Sequence, residues 1–291
     1  MNLSATFFNG RTLLVAFEGW HDAAEAASSA VKFIGEQLDA ELINAVDPEE
    51  YFDFQFSRPF VTLDPDGKRQ LTWPTAELLK PSRGVAAKNP EFANIYLLYG
   101  NEPARRWKAF TEEIVEFVED AEINQVIFLG AQLADVPHTR PISITITSQN
   151  EIARSALNVE RSHYEGPVGI MSALGMEFEK AGIPTIAVWA SVPHYVQNAP
   201  SPKATLSMLI EIERLLKVEF EHGSLADEAF TWERSIDELA EGDEDMAGYI
   251  EQLESTRDAL DSEAAQGEAL AQEFERFLKL EDDAKPETDD Q

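Results

Sequence analysis

Along the first 218 residues, short unbroken apolar runs alternate with segments whose apolar positions return every three or four residues. TLLVAF (12–17) is a continuous apolar run, as expected of a strand covered on both faces. The segment after it, DAAEAASSAVKFIGEQL (22–38), has a helical period. Asp22 can cap it, with Glu25 three residues on completing a capping box. Ala23, Ala26, Ala27, Ala30, Val31 and Ile34 give that helix a small-residue face able to lie close to a sheet. Further strands are predicted at ELINAV (41–46), NIYLLYG (94–100), INQVIFLGA (123–131), PISITITS (141–148) and PTIAVWASV (184–192). Helices are predicted over 101–120, with Pro103 suited to the first turn, within 166–183, and over 201–220. The last carries Leu206, Leu209, Ile210, Ile212, Leu216 and Val218 on its apolar positions. Six strands alternating with helices predict an α/β fold: a mostly parallel central sheet with helices on both faces.

Two regions break this rhythm. In YFDFQFSRPFVTLDPDGKRQLTWP (51–74) aromatic and polar residues alternate around an Asp-Gly turn signal, which predicts a β-hairpin standing outside the α/β pattern. After Glu219 the strand signal stops. Segments 225–242, 245–264 and 267–280 all have helical spacing, but their apolar stripes are thin: Met246, Ile250, Leu253 and Leu260 in one, Leu270, Phe274, Phe277 and Leu278 in another. Stripes this narrow need the α/β body or a neighbouring subunit to cover them. The expected organisation is an α/β domain over 1–220, an acidic helical appendage over 221–280 and a disordered tail over 281–291.

Charge sharpens the division. The formal net charge is −31, of which residues 219–291 carry 25 acids against 5 bases. A surface this anionic repels phosphate backbones, so no nucleic-acid partner is expected. No apolar run reaches the ~20 residues of a membrane span. The first residues lack a signal peptide's basic start and cleavage site, which makes a cytoplasmic address the default. The absence of cysteine removes disulfides, thiolate nucleophiles and Cys-ligated zinc.

In an open parallel sheet, ligands bind beyond the carboxyl ends of the strands. The loops expected there are rich in chemistry. Two of the five histidines sit in a repeated Val-Pro-His after two different strands, as His138 and His194. Glu18, His21, Asp22, Glu102, Arg105, Asp135 and Arg140 join them on the same rim. Glu18, His21, Asp22, Asp135, His138 and His194 are the pocket candidates; Arg105, Arg106 and Arg140 are the anion-binding candidates. At Arg105 and Arg106 a strand, a glycine turn and a helix start follow one another, which suits an anion, although Glu102 opposes one. His21, Asp22, Asp135 and His138 are legitimate metal donors, but their spacing matches no compact motif and no metal is expected. Ser172 lacks a nucleophile-elbow context. No Walker loop or G-x-G-x-x-G is present, and no cofactor is expected. The plainer reading of each Val-Pro-His is a loop-shaping device: Pro137 and Pro193 hold the preceding valine extended, and the histidine bonds a loop group. Trp20, Trp107 and Trp189 serve either a ligand wall or packing.

Taken in order, FEGWHDAAEAA, the 51–74 hairpin, GNEPARRWKAF, LGAQLADVPHTRPISIT, YEGPVGIMSALGMEFEKAGIPTIAVWASVPHYV and SPKATLSMLIEIERLL resemble the PAC2 family, most closely its uncharacterised actinobacterial members, over about residues 10–220. The resemblance implies a three-layer α/β/α sandwich of the phosphorylase/hydrolase-like kind and a homo-oligomer, a trimer favoured. It also implies a role like that of family members that chaperone proteasome assembly by binding α-subunits. It supplies no established reaction. Two expectations follow: a non-enzymatic assembly or interaction protein with a proteasome-related client, or an enzyme or binder for a small anionic metabolite at the strand ends.

Overall fold

The computed structural model describes residues 8–196 and 200–262. The helix expected over 267–280 and the tail over 281–291 lie outside the described residues. In chain order the strands are β1 (Thr12–Glu18), β2 (Glu41–Ala45), β3 (Phe60–Leu63), β4 (Arg69–Thr72), β5 (Ala76–Lys80), β6 (Ile95–Asn101), β7 (Gln125–Ala134), β8 (Ile144–Thr147) and β9 (Thr185–Pro193). The helices are α1 (Ala26–Gln37), α2 (Pro48–Tyr51), α3 (Arg83–Lys88), α4 (Trp107–Asp120), α5 (Glu151–Leu157), α6 (Ile170–Lys180), α7 (Pro202–Leu216), α8 (Leu225–Glu241) and α9, over 244–262.

Seven strands form one sheet in the order β2-β5-β6-β1-β7-β9-β8. The central four, β6, β1, β7 and β9, are parallel. β5 and β8 run against their neighbours. The run at 141–148 therefore does not join the parallel set. Its link from β7, residues 135–143, is too short for the dozen or so residues a parallel crossover needs, so the chain turns back from the rim. β5 was not foreseen: its run AELLK is short and carries Glu77 and Lys80. At the other edge, β2 is bulged between Leu42 and Asn44.

Successive residues of the central strands enter opposite layers. Leu14, Ala16, Leu97, Ile127 and Leu129 pack with α1 and α7. Leu13, Val15, Phe17, Tyr96, Leu98, Val126 and Phe128 pack with α4 and α6. All of these are buried, which explains the unbroken apolar runs. The result is the three-layer α/β/α sandwich. Gly100 marks a tight backbone crossing: a Cβ there would lie 2.0 Å from the Thr75 carbonyl oxygen and 2.6 Å from the Ala76 Cα.

The acidic helices α8 and α9 lie on the body, although Leu260 of the expected stripe stays exposed. α8 packs on α7 and buries Leu225, Ala229, Trp232, Ile236 and Ala240. α9 buries only Ile250 and Leu253. The hairpin β3–β4 stands apart as its own two-stranded sheet.

Candidate functional site

The carboxyl ends of the four parallel strands carry two separate groups of side chains. The first follows β1 and β6. Glu18, the last residue of β1, faces Asn101 across the ladder. Its carboxylate accepts from Asn101 Nδ2 (2.9 Å), Lys32 Nζ (3.0 Å) and the Tyr99 hydroxyl. Burial pushes this carboxyl up, but the hydrogen bonds from Tyr99, Lys32 and Asn101 outweigh it and leave the pKa below its ordinary value. Burial and the bond to Glu18 raise the Tyr99 phenol to about 12. An open groove runs beside this network, lined by Val31, Lys32, Gly35, Leu79, Leu97 and Tyr99 among others.

Gly19, with φ +114°, swings the chain so that Trp20 stands exposed while His21 and Asp22 are buried. Asp22 Oδ1 accepts the N–H groups of Ala27 (2.9 Å) and Ser28 (3.0 Å) and caps α1. The capping box with Glu25 does not form: residues 23–25 make a 3₁₀ turn and Glu25 has φ +53°. The His21 carbonyl accepts the Ala131 N–H at 2.6 Å, tying the loop to β7. Its ring is 4% exposed, 6.0 Å from the Trp189 ring, and its Nδ1 has no hydrogen-bond partner. Burial drives this imidazole from its ordinary 6.5 to about 4. Glu102 Oε1, 4.0 Å from Nδ1, instead accepts the Ile170 N–H (2.8 Å) at the start of α6. Gly169 makes this approach possible, since a Cβ there would lie 1.8 Å from His21 Cε1.

The second group is built on the two Val-Pro-His corners, after β7 and β9. His138 is fully buried. Its backbone N–H donates to the Tyr195 hydroxyl (2.7 Å), which also lies 2.9 Å from its Nδ1. Tyr195 thus accepts one proton and donates its own to Nδ1. That leaves the ring proton on Nε2, facing Asp237 of α8 at 3.1 Å. Burial lowers the His138 pKa, and Asp237 only partly offsets it. His194 Nδ1 lies 3.3 Å from Asp135 Oδ1, and its ring meets Tyr195 and Tyr249 edge-on. The two histidines therefore flank one tyrosine; each faces a different carboxylate.

The three arginines offered as anion-binding candidates are all engaged. Arg140 holds Asp258 of α9 through Nε and Nη2 (both 2.8 Å) and Glu254 through Nη1 (3.2 Å). Arg105 donates to the carbonyls of Glu49 and Glu50. Arg106, with φ +56°, pairs with Glu50 and lies over the Tyr51 ring. α4 begins after it, at Trp107, so Pro103 precedes the helix instead of opening it; its carbonyl accepts the Trp107 indole N–H (2.7 Å). Ser172 is exposed on α6. Among the described residues no group of three or more histidine and acidic side chains is placed to hold a metal ion.

The partners that sequence reasoning missed are Lys32, Tyr99, Asn101, Gly169, Tyr195, Asp237, Tyr249, Glu254 and Asp258. Tyr195 was within reach, as the residue after His194. The acidic partners come from helices about a hundred positions away, which no local spacing reveals.

Comparison with known proteins adds the lineage. A family model described as the PAC2 family matches residues 16–240. A PAC2 family protein from Streptomyces avermitilis is 38% identical, with a TM-score of 0.75 over 82% of this chain and 99% of that one. A Mycobacterium tuberculosis proteasome-assembly chaperone homologue is 34% identical, with a TM-score of 0.71 over the same shares. An archaeal homologue of proteasome-assembly chaperone from Pyrococcus furiosus, 17% identical, shares the fold with a TM-score of 0.55, over 85% of this chain and 96% of that one. No curated protein matches the chain.

Proposed function

This chain belongs to the PAC2 family, and from that premise we propose that it is a non-enzymatic, assembly-chaperone-like protein that works in the cytoplasm as a homo-oligomer, a trimer, with a proteasome-related subunit as client. The naming of a relative 34% identical as a proteasome-assembly chaperone homologue supports the client class. Among the described residues no helix is long and apolar enough to cross a membrane, which is consistent with that address.

The observation that carries the reading is the β3–β4 hairpin. Its register places Val61 opposite Leu71 and Leu63 opposite Arg69, so three apolar side chains share one face. They are 46%, 51% and 69% exposed for Val61, Leu71 and Leu63, and Phe56 and Phe60 beside them are more exposed still. A lone two-stranded hairpin is marginal in water, and an exposed apolar patch on one marks an interaction site. A second copy of the chain is the proposed occupant. The small-anion alternative has less support, because Arg105, Arg106 and Arg140 already have partners.

Mass in solution tests the proposal. The wild-type chain is expected as a trimer and Val61→Glu/Leu71→Glu as a monomer with unchanged circular dichroism. A monomeric wild type, or a variant of unchanged mass, refutes the assembly. Native mass spectrometry with purified proteasome α-subunits tests the client, and a chain that captures none of them refutes it.

A further inference from the structure

Around the two Val-Pro-His corners, Asp135, His138 and Arg140 are held by the chain's own acidic helices. α9 is the clearest case. Six acids and one base give it a net charge of −5, and it lies on a body that is itself acidic. It stays there through a short set of contacts. Arg140 grips Glu254 and Asp258, one helical turn apart, with a planar fork on the second. Thr139 donates to Glu254, Arg257 donates to Ser143, and Tyr249 reaches Asp135 at 3.4 Å. Only Ile250 and Leu253 are buried, against five side chains for α8. A two-residue link, Gly242 and Asp243, joins the two helices.

We infer that the rim around Arg140 is a receptor surface for an acidic amphipathic helix of a partner protein, and that α9 occupies it in cis as a displaceable cover. The chain's own helix shows what the surface accepts. It takes two apolar residues three apart, then two carboxylates four apart, one of them on a residue that immediately follows the apolar pair. The body contributes the complement: one guanidinium, two hydroxyls at Thr139 and Ser143, and the Tyr195–His194 edge. Of the contacts holding α9, the charged ones lie near solvent and the apolar ones are few. α9 can therefore be exchanged for a competitor of the same pattern. The inference rests on reading the chain as an interaction protein, and names the surface that would meet the client.

The test uses the full chain. Glu254→Lys/Asp258→Lys turns the cover's carboxylates into charges that Arg140 repels while leaving the rim intact. Hydrogen exchange of the amides in 244–262 reports whether the cover has lifted. A fluorescent synthetic peptide of residues 244–262 with the native sequence then probes the rim in trans. The double variant is expected to exchange freely in 244–262 and to bind the peptide about ten-fold tighter than wild type, whose rim is occupied. Adding Arg140→Glu restores the pair in reverse sense, so protection of 244–262 returns and peptide binding is lost. Unchanged exchange in the double variant overturns the cover. Free exchange without peptide binding overturns the receptor surface, and so does a triple variant that fails to regain protection. Mass in solution, followed in parallel, reads the hairpin contact alone, so a failure at the rim is distinguishable from a failure of the oligomer.

Discussion

His21 makes the chain sensitive to acid. Its imidazole is buried and its Nδ1 has no partner. Burial lowers its pKa from 6.5 to about 4. Between those values the unfolded chain binds a proton that the folded chain refuses. Stability contributed by the neutral ring is therefore present above about pH 6.5 and is lost as pH falls towards 4. By linkage the loss is about 2 kcal/mol at pH 5 and about 3 kcal/mol at pH 4. Against a total of roughly 5–15 kcal/mol for a domain, that is a large share. Glu102, 4.0 Å away, is committed to the Ile170 N–H and does not neutralise the charge at hydrogen-bond distance. The assay is urea unfolding of the wild type and of His21→Asn at steps from pH 7.5 to about pH 4. Carboxylates titrate in both proteins, so the difference between the curves isolates the imidazole. The wild type should lose about 3 kcal/mol more than the variant on acidification. In parallel, the His21 ring carbon shifts of the folded wild type should show no titration near pH 6.5. Parallel stability curves, or a midpoint near 6.5 in the folded protein, would refute the account.

Three further outcomes follow from the packing. Asp22→Ala removes the acceptor for the Ala27 and Ser28 N–H groups and should lower stability by about 1 kcal/mol, read from a thermal melt. Gly100→Ala drives a methyl group into the Thr75 carbonyl, a backbone atom that cannot step aside within the β5–β6 ladder. A loss of about 3 kcal/mol in urea unfolding, or failure to fold, is expected, and a wild-type midpoint would contradict the crossing. Trp232→Ala removes a buried α8 ring that meets the His138 imidazole edge-on, with an expected loss of about 3–5 kcal/mol and faster amide exchange in 225–241.

The parallel core was legible because burial on both faces leaves a local mark. β1, β6, β7 and β9 each read as an unbroken apolar run for that reason. β5 left no such mark, since Glu77 and Lys80 interrupt it, and the direction of β8 depends on link length, not on its own residues. The α1 cap was half legible: Asp22 acts locally as its chemistry suggests, but the backbone turn at Ala24 and Glu25 displaces the box. At the rim, the neighbourhood of His138 and His194 could be read, because both follow strands that lie side by side. Their carboxylates could not. Asp237 is 99 positions from His138, and ion pairing at that separation leaves no periodic trace.

The bulge in β2 bears on how copies of this chain can meet. A strand that doubles one residue against its neighbour twists its outer row of amides out of line, and a fresh strand finds no straight template there. At the opposite border β8 is four residues long, and Thr147 is bridged to Glu160. A union of copies at either border of the seven-stranded sheet is then made by side chains and can come apart without tearing main-chain hydrogen bonds, and neither border invites the runaway stacking that ends in fibres.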